Sequence, residues 1–195
     1  MSVRMKILLS AACIAAVSGC ASAPSRFYRL SSTASPTRAA PADYAVLVGP
    51  VTVPASVDRP EFVVQVAPNR VALEEFNRWA GPLNESIART IAGDLAVLLG
   101  TRRVASGSIG NFDPAYRVTL DVQEFDSIPA ESVLIEAVWA VEKTAGGATR
   151  SGQTVARETV QGTDFDALAA AHSRALAQVS TEIATAIRAL AAARK

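Results

Sequence analysis

Tyr116-Arg117-Val118-Thr119-Leu120-Asp121-Val122-Gln123 puts Tyr116, Val118, Leu120 and Val122 on one side of an extended chain and Arg117, Thr119, Asp121 and Gln123 on the other. Successive side chains of a strand point to opposite faces, so the stretch predicts a strand with one buried and one wet face. Downstream the period recurs, with Val133, Ile135, Ala137, Trp139 and Val141 on one face and Glu136 and Glu142 on the other. Gly146-Gly147 then turns the chain into a third strand, Gln153 to Val160. The three read as an antiparallel meander.

Working back towards the N-terminus, Arg26 to Leu30 reads as a first strand and Ser31 to Asp43, rich in Ser, Ala, Pro and Thr, as a loop. Tyr44 to Val53 is valine-rich and apolar on both faces, which suits a central strand. Glu61 to Val66 and Arg70 to Phe76 flank Ala67-Pro68-Asn69 as a hairpin. A helix is predicted from Pro82 to Leu99, since Leu83, Ile87, Ile91, Leu95 and Leu98 fall on one face between Pro82 and Gly100, a favourable start and stop.

A second, longer helix starts near Asp164 and Asp166, whose charges meet its positive end, and finishes with Arg188, Arg194 and Lys195 at the negative end. Phe165, Leu168, His172, Leu176, Val179, Ile183, Ile187 and Leu190 form a narrow stripe of heptad type along it. At 1.5 Å per residue it reaches about 40 Å, more than a small sheet needs for cover. The stripe either packs inside the chain along most of its length or offers its last turns to a partner. Together the elements predict a single α+β domain, an antiparallel or mixed sheet covered by two helices.

The N-terminus has a different character. Arg4 and Lys6 precede an apolar run from Ile7 to Val17, and Val17-Ser18-Gly19-Cys20 completes a lipobox. That order is a secretory signal, and a run of about 11 residues is too short to span a bilayer. Residues 1–19 are expected to be removed, 20–26 to form a lipidated tether on Cys20, and 27–195 to fold. Each buried acyl methylene contributes about 0.8 kcal/mol, so more than one chain on Cys20 gives stable attachment. The only other cysteine, Cys13, leaves with the signal, and no thiol remains for a disulfide, zinc cluster or nucleophile. Loss of Arg4 and Lys6 leaves 17 basic against 18 acidic residues, a balance that lacks the basic stripe of a nucleic-acid binder.

The search for reactive groups yields little. His172 stands on the apolar stripe with no cysteine, second histidine or carboxylate in ligand spacing, and reads as a packed histidine. Ser106-Gly107-Ser108-Ile109-Gly110 lacks the first glycine of a nucleophile elbow, and Gly146-Gly147 lacks the lysine of a phosphate loop. Glu74 and Glu75 are adjacent and would point to opposite faces of a strand, a poor acid–base pair. No catalytic residue, metal site or cofactor other than the lipid on Cys20 is expected. The unusual stretch is Phe76-Asn77-Arg78-Trp79-Ala80-Gly81-Pro82-Leu83, where aromatics and an arginine crowd the start of the first helix. Trp79 is either a core plug or a contact hot spot. On the contact reading, Phe76, Arg78 and Trp79, with Leu176, Ile183 and Ile187 of the last helix, are the candidate interface residues.

Five stretches in order behind the lipobox resemble the PqiC-type lipoproteins, also called ABC-type transport auxiliary lipoproteins: Phe27-Tyr28-Arg29-Leu30, Val48-Gly49-Pro50-Val51, Asp58-Arg59-Pro60, Asn69-Arg70-Val71, and Phe76 to Leu83. One departure is Gly81, where family members commonly carry an acid before the proline and leucine. The resemblance implies a non-enzymatic subunit of an intermembrane lipid transport system, partnered with an MCE-domain protein at the outer-membrane end of the conduit and assembled as a homo-oligomeric ring. Ala21, in place of an aspartate after Cys20, agrees with outer-membrane sorting on the periplasmic face. The rival reading is a periplasmic lipoprotein that assists assembly of another envelope machine, an outer-membrane protein or a peptidoglycan synthase.

Overall fold

The computed structural model describes residues 23–107 and 110–193. In chain order its elements are β1 (Arg26–Tyr28), β2 (Val46–Thr52), β3 (Glu61–Ala67), β4 (Arg70–Trp79), α1 (Leu83–Leu99), β5 (Val104–Ser106), β6 (Tyr116–Ile128), β7 (Ser132–Lys143), β8 (Thr149–Thr159) and α2 (Phe165–Ala192). The α+β class with two helices is as the patterning predicts. Its strands divide between two mixed sheets, however, with order β1-β4-β3 in the smaller and β5-β2-β6-β7-β8 in the larger. Alternation fixes which side chains share a face but carries no information about which sheet a strand joins.

The meander β6-β7-β8 is antiparallel, with Leu120 opposite Trp139 and Trp139 opposite Gly152. β2 lies inside the larger sheet, parallel to both β5 and β6. Its exposure alternates instead of being buried on both faces: Val46, Val48 and Val51 are inward, and the register shifts between Val48 and Val51, where the Gly49-Pro50 peptide is cis. β5 has three residues, too few for a period to register in sequence.

α1 ends with its carbonyls accounted for, as a buried helix end requires. Gly100 takes a left-handed φ of 66° and donates to Val97 O at 3.2 Å, and Thr101 N donates to Ala96 O at 3.1 Å. The Leu98 carbonyl accepts from Thr37 Oγ1 at 3.2 Å and from the Arg188 guanidinium at 3.0 Å, while Ala42 N donates to Leu99 O at 2.8 Å. Arg188, near the end of α2, thus brings a cation to the negative end of α1. α2 opens as its sequence suggests, with the Asp164 carboxylate accepting from Ala167 N at 2.8 Å.

α2 lies against β7, β8 and α1. Its stripe residues Leu168, His172, Leu176, Val179, Ile183 and Ile187 are all buried, and so are the flanking Ala171, Ala175 and Ala186. Alanines let the helix approach closely, which widens the buried face beyond the heptad seam. Its last turns do not project freely, because Arg188 also donates to Ala40 O at 3.0 Å.

One close approach inside the meander is testable. The Trp139 indole covers Gly152, its cross-strand partner, and donates from Nε1 to Thr154 Oγ1 at 2.9 Å; Thr154 Oγ1 in turn donates to Glu182 of α2 at 2.6 Å. A Cβ at 152 would come within 2.8 Å of the ring's Cη2 and 2.9 Å of its Cε2. Gly152→Ala is therefore expected to displace the ring and cost about 1–3 kcal/mol by overpacking, seen as a lower denaturation midpoint and a changed tryptophan fluorescence. An unchanged emission spectrum would contradict this packing.

Candidate functional site

The end of β4 and the start of α1 carry the densest chemistry of the fold. Asn77 accepts from the Tyr28 hydroxyl at 2.9 Å through Oδ1 and donates to Glu74 at 3.2 Å through Nδ2. Arg78 pairs with Glu61 across the hairpin. Trp79 N donates to Pro60 O at 2.7 Å, and Ala80 N donates to Tyr28 O at 2.8 Å. These bonds draw three separated segments, around Tyr28, Asp58 to Pro60 and Asn77 to Leu83, onto one end of the smaller sheet. Pro82 then caps α1 and Leu83 is buried.

Between them runs an open groove of about 370 Å³, lined by Asp58, Arg59, Pro60, Trp79, Ala80, Gly81, Pro82 and Leu83. Its floor is apolar, and one wall holds an orphan donor: Arg59 Nε is buried without a hydrogen-bond partner. Where residue 81 would carry a Cβ, the Arg89 guanidinium stands 3.9 Å away. An acid at that position would meet it, as the departure at Gly81 suggests. In this chain Arg89 turns instead to Glu85 at 3.6 Å and Ser86 Oγ at 3.2 Å. Both partners of that ion pair are exposed, so it contributes little.

Beneath the groove lies an aromatic cluster. Trp79 stacks on Phe62 with centroids 3.9 Å apart, and meets Phe125 of β6 and His172 of α2 edge-on, each at 6.1 Å. Tyr28 and Phe165 close on Phe62 at 5.5 and 5.2 Å. Trp79 is 5% exposed and fastens the smaller sheet to the rest of the fold, which makes it the core plug of the two roles its sequence position left open. The other interface candidates separate in the same way. Leu176, Ile183 and Ile187 are sealed within the chain's own core and cannot reach a partner while it is folded. Phe76 is exposed, and Arg78 is partly exposed beside Glu61. Cys20 lies outside the described residues.

His172 is fully buried, stacked on Phe125 at 4.0 Å, with Nε2 2.8 Å from Ser127 Oγ and no partner on Nδ1. Burial holds its pKa down at about 3, against an ordinary 6.5, so the folded chain keeps it neutral. The unfolded chain takes up a proton below pH 6.5 that the folded one refuses, so this group's penalty is absent above 6.5 and grows as pH falls towards 3. Between pH 7.5 and pH 5 the loss should be about 2 kcal/mol. His172→Gln removes the titration, and if its unfolding free energy falls as steeply over that range, His172 is not the cause. Among the described residues no group of three or more His, Cys, Asp or Glu is placed to hold a metal ion.

The family described as "ABC-type transport auxiliary lipoprotein component" matches this sequence over residues 28–184. The chain belongs to that family. No curated protein matches the sequence. Among solved structures, protein XCC0632 from Xanthomonas campestris, assigned to the family DUF330, is similar with a TM-score of 0.70 at 21% identity, covering 87% of this chain and 100% of that one. The crystal structure of an uncharacterized protein matches with a TM-score of 0.69 at 21% identity, over 85% and 99% of the two chains. At that identity the likeness shows the fold. As a transport auxiliary lipoprotein the chain is an envelope component of a transport system. No helix among its described residues is long and apolar enough to cross a membrane.

The groove was only half visible in the sequence of this transport auxiliary lipoprotein. Trp79 to Leu83 stood out by composition, but Asp58 to Pro60 has no composition signal of its own. It meets the groove because the β3-β4 hairpin folds back on itself and returns Trp79 to Pro60.

Proposed function

We propose that this lipoprotein is anchored through Cys20 at the periplasmic face of the outer membrane and serves, by protein association, as a non-enzymatic subunit of an MCE-type intermembrane lipid transport system. The groove at Asp58 to Pro60 and Trp79 to Leu83 carries the reading. It is open, apolar-floored and pre-formed, with the unpaired Arg59 in its wall able to donate to a partner's carbonyl or carboxylate. Such a surface suits an extended segment of another protein. The site gathers no nucleophile with a base. Family membership supplies the transport context, and the lipobox supplies the anchor. Phe76, exposed in the bulge of β4, is the candidate contact between copies in a ring.

A photo-crosslinking residue at Pro60 or Ala80, both exposed, tests the partner in living cells. The expected adduct contains an MCE-domain protein. Capture of an outer-membrane assembly factor or a peptidoglycan synthase instead would transfer the chain to the rival client. The anchor is tested separately, since Cys20→Ala should abolish acylation and leave the protein unprocessed or released; an unmodified Cys20 on the mature wild-type chain would remove it.

A further inference from the structure

Seven large apolar side chains are exposed among the described residues, and five of them, Phe27, Val66, Val71, Leu73 and Phe76, belong to the three-stranded sheet. Strand register collects most of these on one side. Leu73 stands beside Val63 and Val71 beside Gln65, while Glu61, two residues before Val63 on β3, stands beside Arg78. Residues 61, 63 and 65 share a face, so Val71, Leu73 and Arg78 share it too. Phe27 stands beside Arg78 and joins them. Phe27 is 63% exposed, Val71 60% and Leu73 48%, and Phe76, in the bulge between Glu74 and Arg78, is 41% exposed. The opposite face carries Phe62 and Val64 into the core.

An apolar face of this kind normally has something covering it. Arg26, Arg29 and Arg70 are exposed at the strand ends that border it, against the exposed acids Glu75 and Asp126, the latter sharing a cavity with Arg70 and Val71, while Arg78 is neutralised by Glu61. Position in the chain supplies the occupant. Phe27 lies seven residues after Cys20, and a fully extended chain of that length spans at most about 25 Å. Wherever acyl chains on Cys20 enter a bilayer, Phe27 is held within that distance of it, and the rest of the outer face extends from there along β4.

We infer that the outer face of the β1-β4-β3 sheet rests on the phospholipid surface, with Phe27, Val71 and Leu73 at the boundary of headgroups and acyl chains and Arg26, Arg29 and Arg70 among the phosphates. Large apolar residues flanked by arginines are the composition of an interfacial surface. The consequence is orientation: the lipid tether sets the distance, and the sheet sets which side of the domain looks away from the membrane. This inference rests on the reading of Cys20 as lipidated, and the test separates the two.

The mature lipoprotein keeps no free thiol when Cys20 is acylated, so single cysteines can be labelled selectively. The purified lipoprotein carrying Val71→Cys, and a control carrying Val155→Cys on β8 of the other sheet, are labelled with a fluorophore and reconstituted in phosphatidylethanolamine–phosphatidylglycerol vesicles containing a spin-labelled lipid. Quenching by the lipid should be about threefold or more stronger at 71 than at 155, as expected for residues inserted about 5–10 Å into the interface. Equal quenching at the two positions overturns the orientation and leaves the anchor intact. Shielding at 71 from both the lipid quencher and an aqueous one also overturns it, because protein then covers the face. Mass spectrometry and cell fractionation come before labelling, and an unacylated Cys20 on a soluble chain overturns both readings.

Discussion

Trp79→Ala is expected to lower the unfolding free energy by about 3–5 kcal/mol, the range for removing a large aromatic from a closed core. The indole is stacked on Phe62 and sits against Phe125 and His172, so it touches β3, β6 and α2 at once. Its loss removes the bolt between the smaller sheet and the rest of the fold. Denaturant titration should show the midpoint falling sharply, and hydrogen exchange should show β3 and β4 losing protection before β6 and β7. Phe76→Ala, three residues earlier but exposed, is the matched control and should change stability by about 0.5 kcal/mol or less. A Trp79→Ala protein that melts like the wild type while changing its assembly state would return the tryptophan to the role of a contact residue.

The second large effect is at Asp94. This carboxylate is completely buried in α1, and Oδ1 accepts from Ser32 Oγ at 2.7 Å and from the backbone amides of Thr33 and Ala34, each at 3.0 Å. Oδ2 accepts from Ser180 Oγ of α2 at 3.0 Å. One side chain therefore ties the segment after β1 to both helices. Gly93 makes room for it, since a Cβ there would come within 3.0 Å of Ser32 Cβ.

Hydrogen bonds to a charged acceptor are each worth about 1.5–3 kcal/mol, and a freed loop recovers part of that from water, so Asp94→Ala should cost about 3 kcal/mol. Asp94→Asn, which keeps one oxygen for Ser32, Thr33 and Ala34, should cost about half as much. The specific readout is amide exchange at Thr33 and Ala34, which should speed up far more in Asp94→Ala than exchange within β6. Unchanged protection at those two amides would show that the carboxylate does not hold the segment. The effect bears on the proposed function because this segment joins β1 to the body and so fixes where the chain before β1 leaves the fold.

Much of the architecture was legible from local pattern. The alternation from Tyr116 to Gln123, the glycines at 146 and 147, the stripe from Leu83 to Leu98 with its Pro82 and Gly100 boundaries, and the Asp164 cap all appear in the structure as elements with those faces and ends. Part of the site was legible too, since Phe76 to Leu83 stood out by its aromatics and arginine. Asp94, outside that site and absent from the expectations drawn from sequence, lies three residues after Ile91 and one before Leu95, on the apolar side of its helix, where a carboxylate marks a buried polar contact. Its partners at Ser32 to Ala34 had no such mark, because a Ser- and Thr-rich loop looks alike whether pinned or free.

The sequence by itself determined the periods of the strands and helices and their stops, and it carries the Val17 to Cys20 pattern on which the proposed anchor rests. These depend on residues within a few positions of one another, where backbone geometry converts spacing directly into a face or an end. Tertiary structure alone decided the division into two sheets, the burial of Trp79, Leu176, Ile183 and Ile187, the meeting of Asp58 to Pro60 with Trp79 to Leu83, and the exposure of Phe27, Val71 and Leu73. Each depends on which distant surface arrives to cover a side chain. An apolar residue on a well-formed face looks the same in sequence whether a helix closes over it, as over Leu176, or nothing in the chain does, as at Leu73.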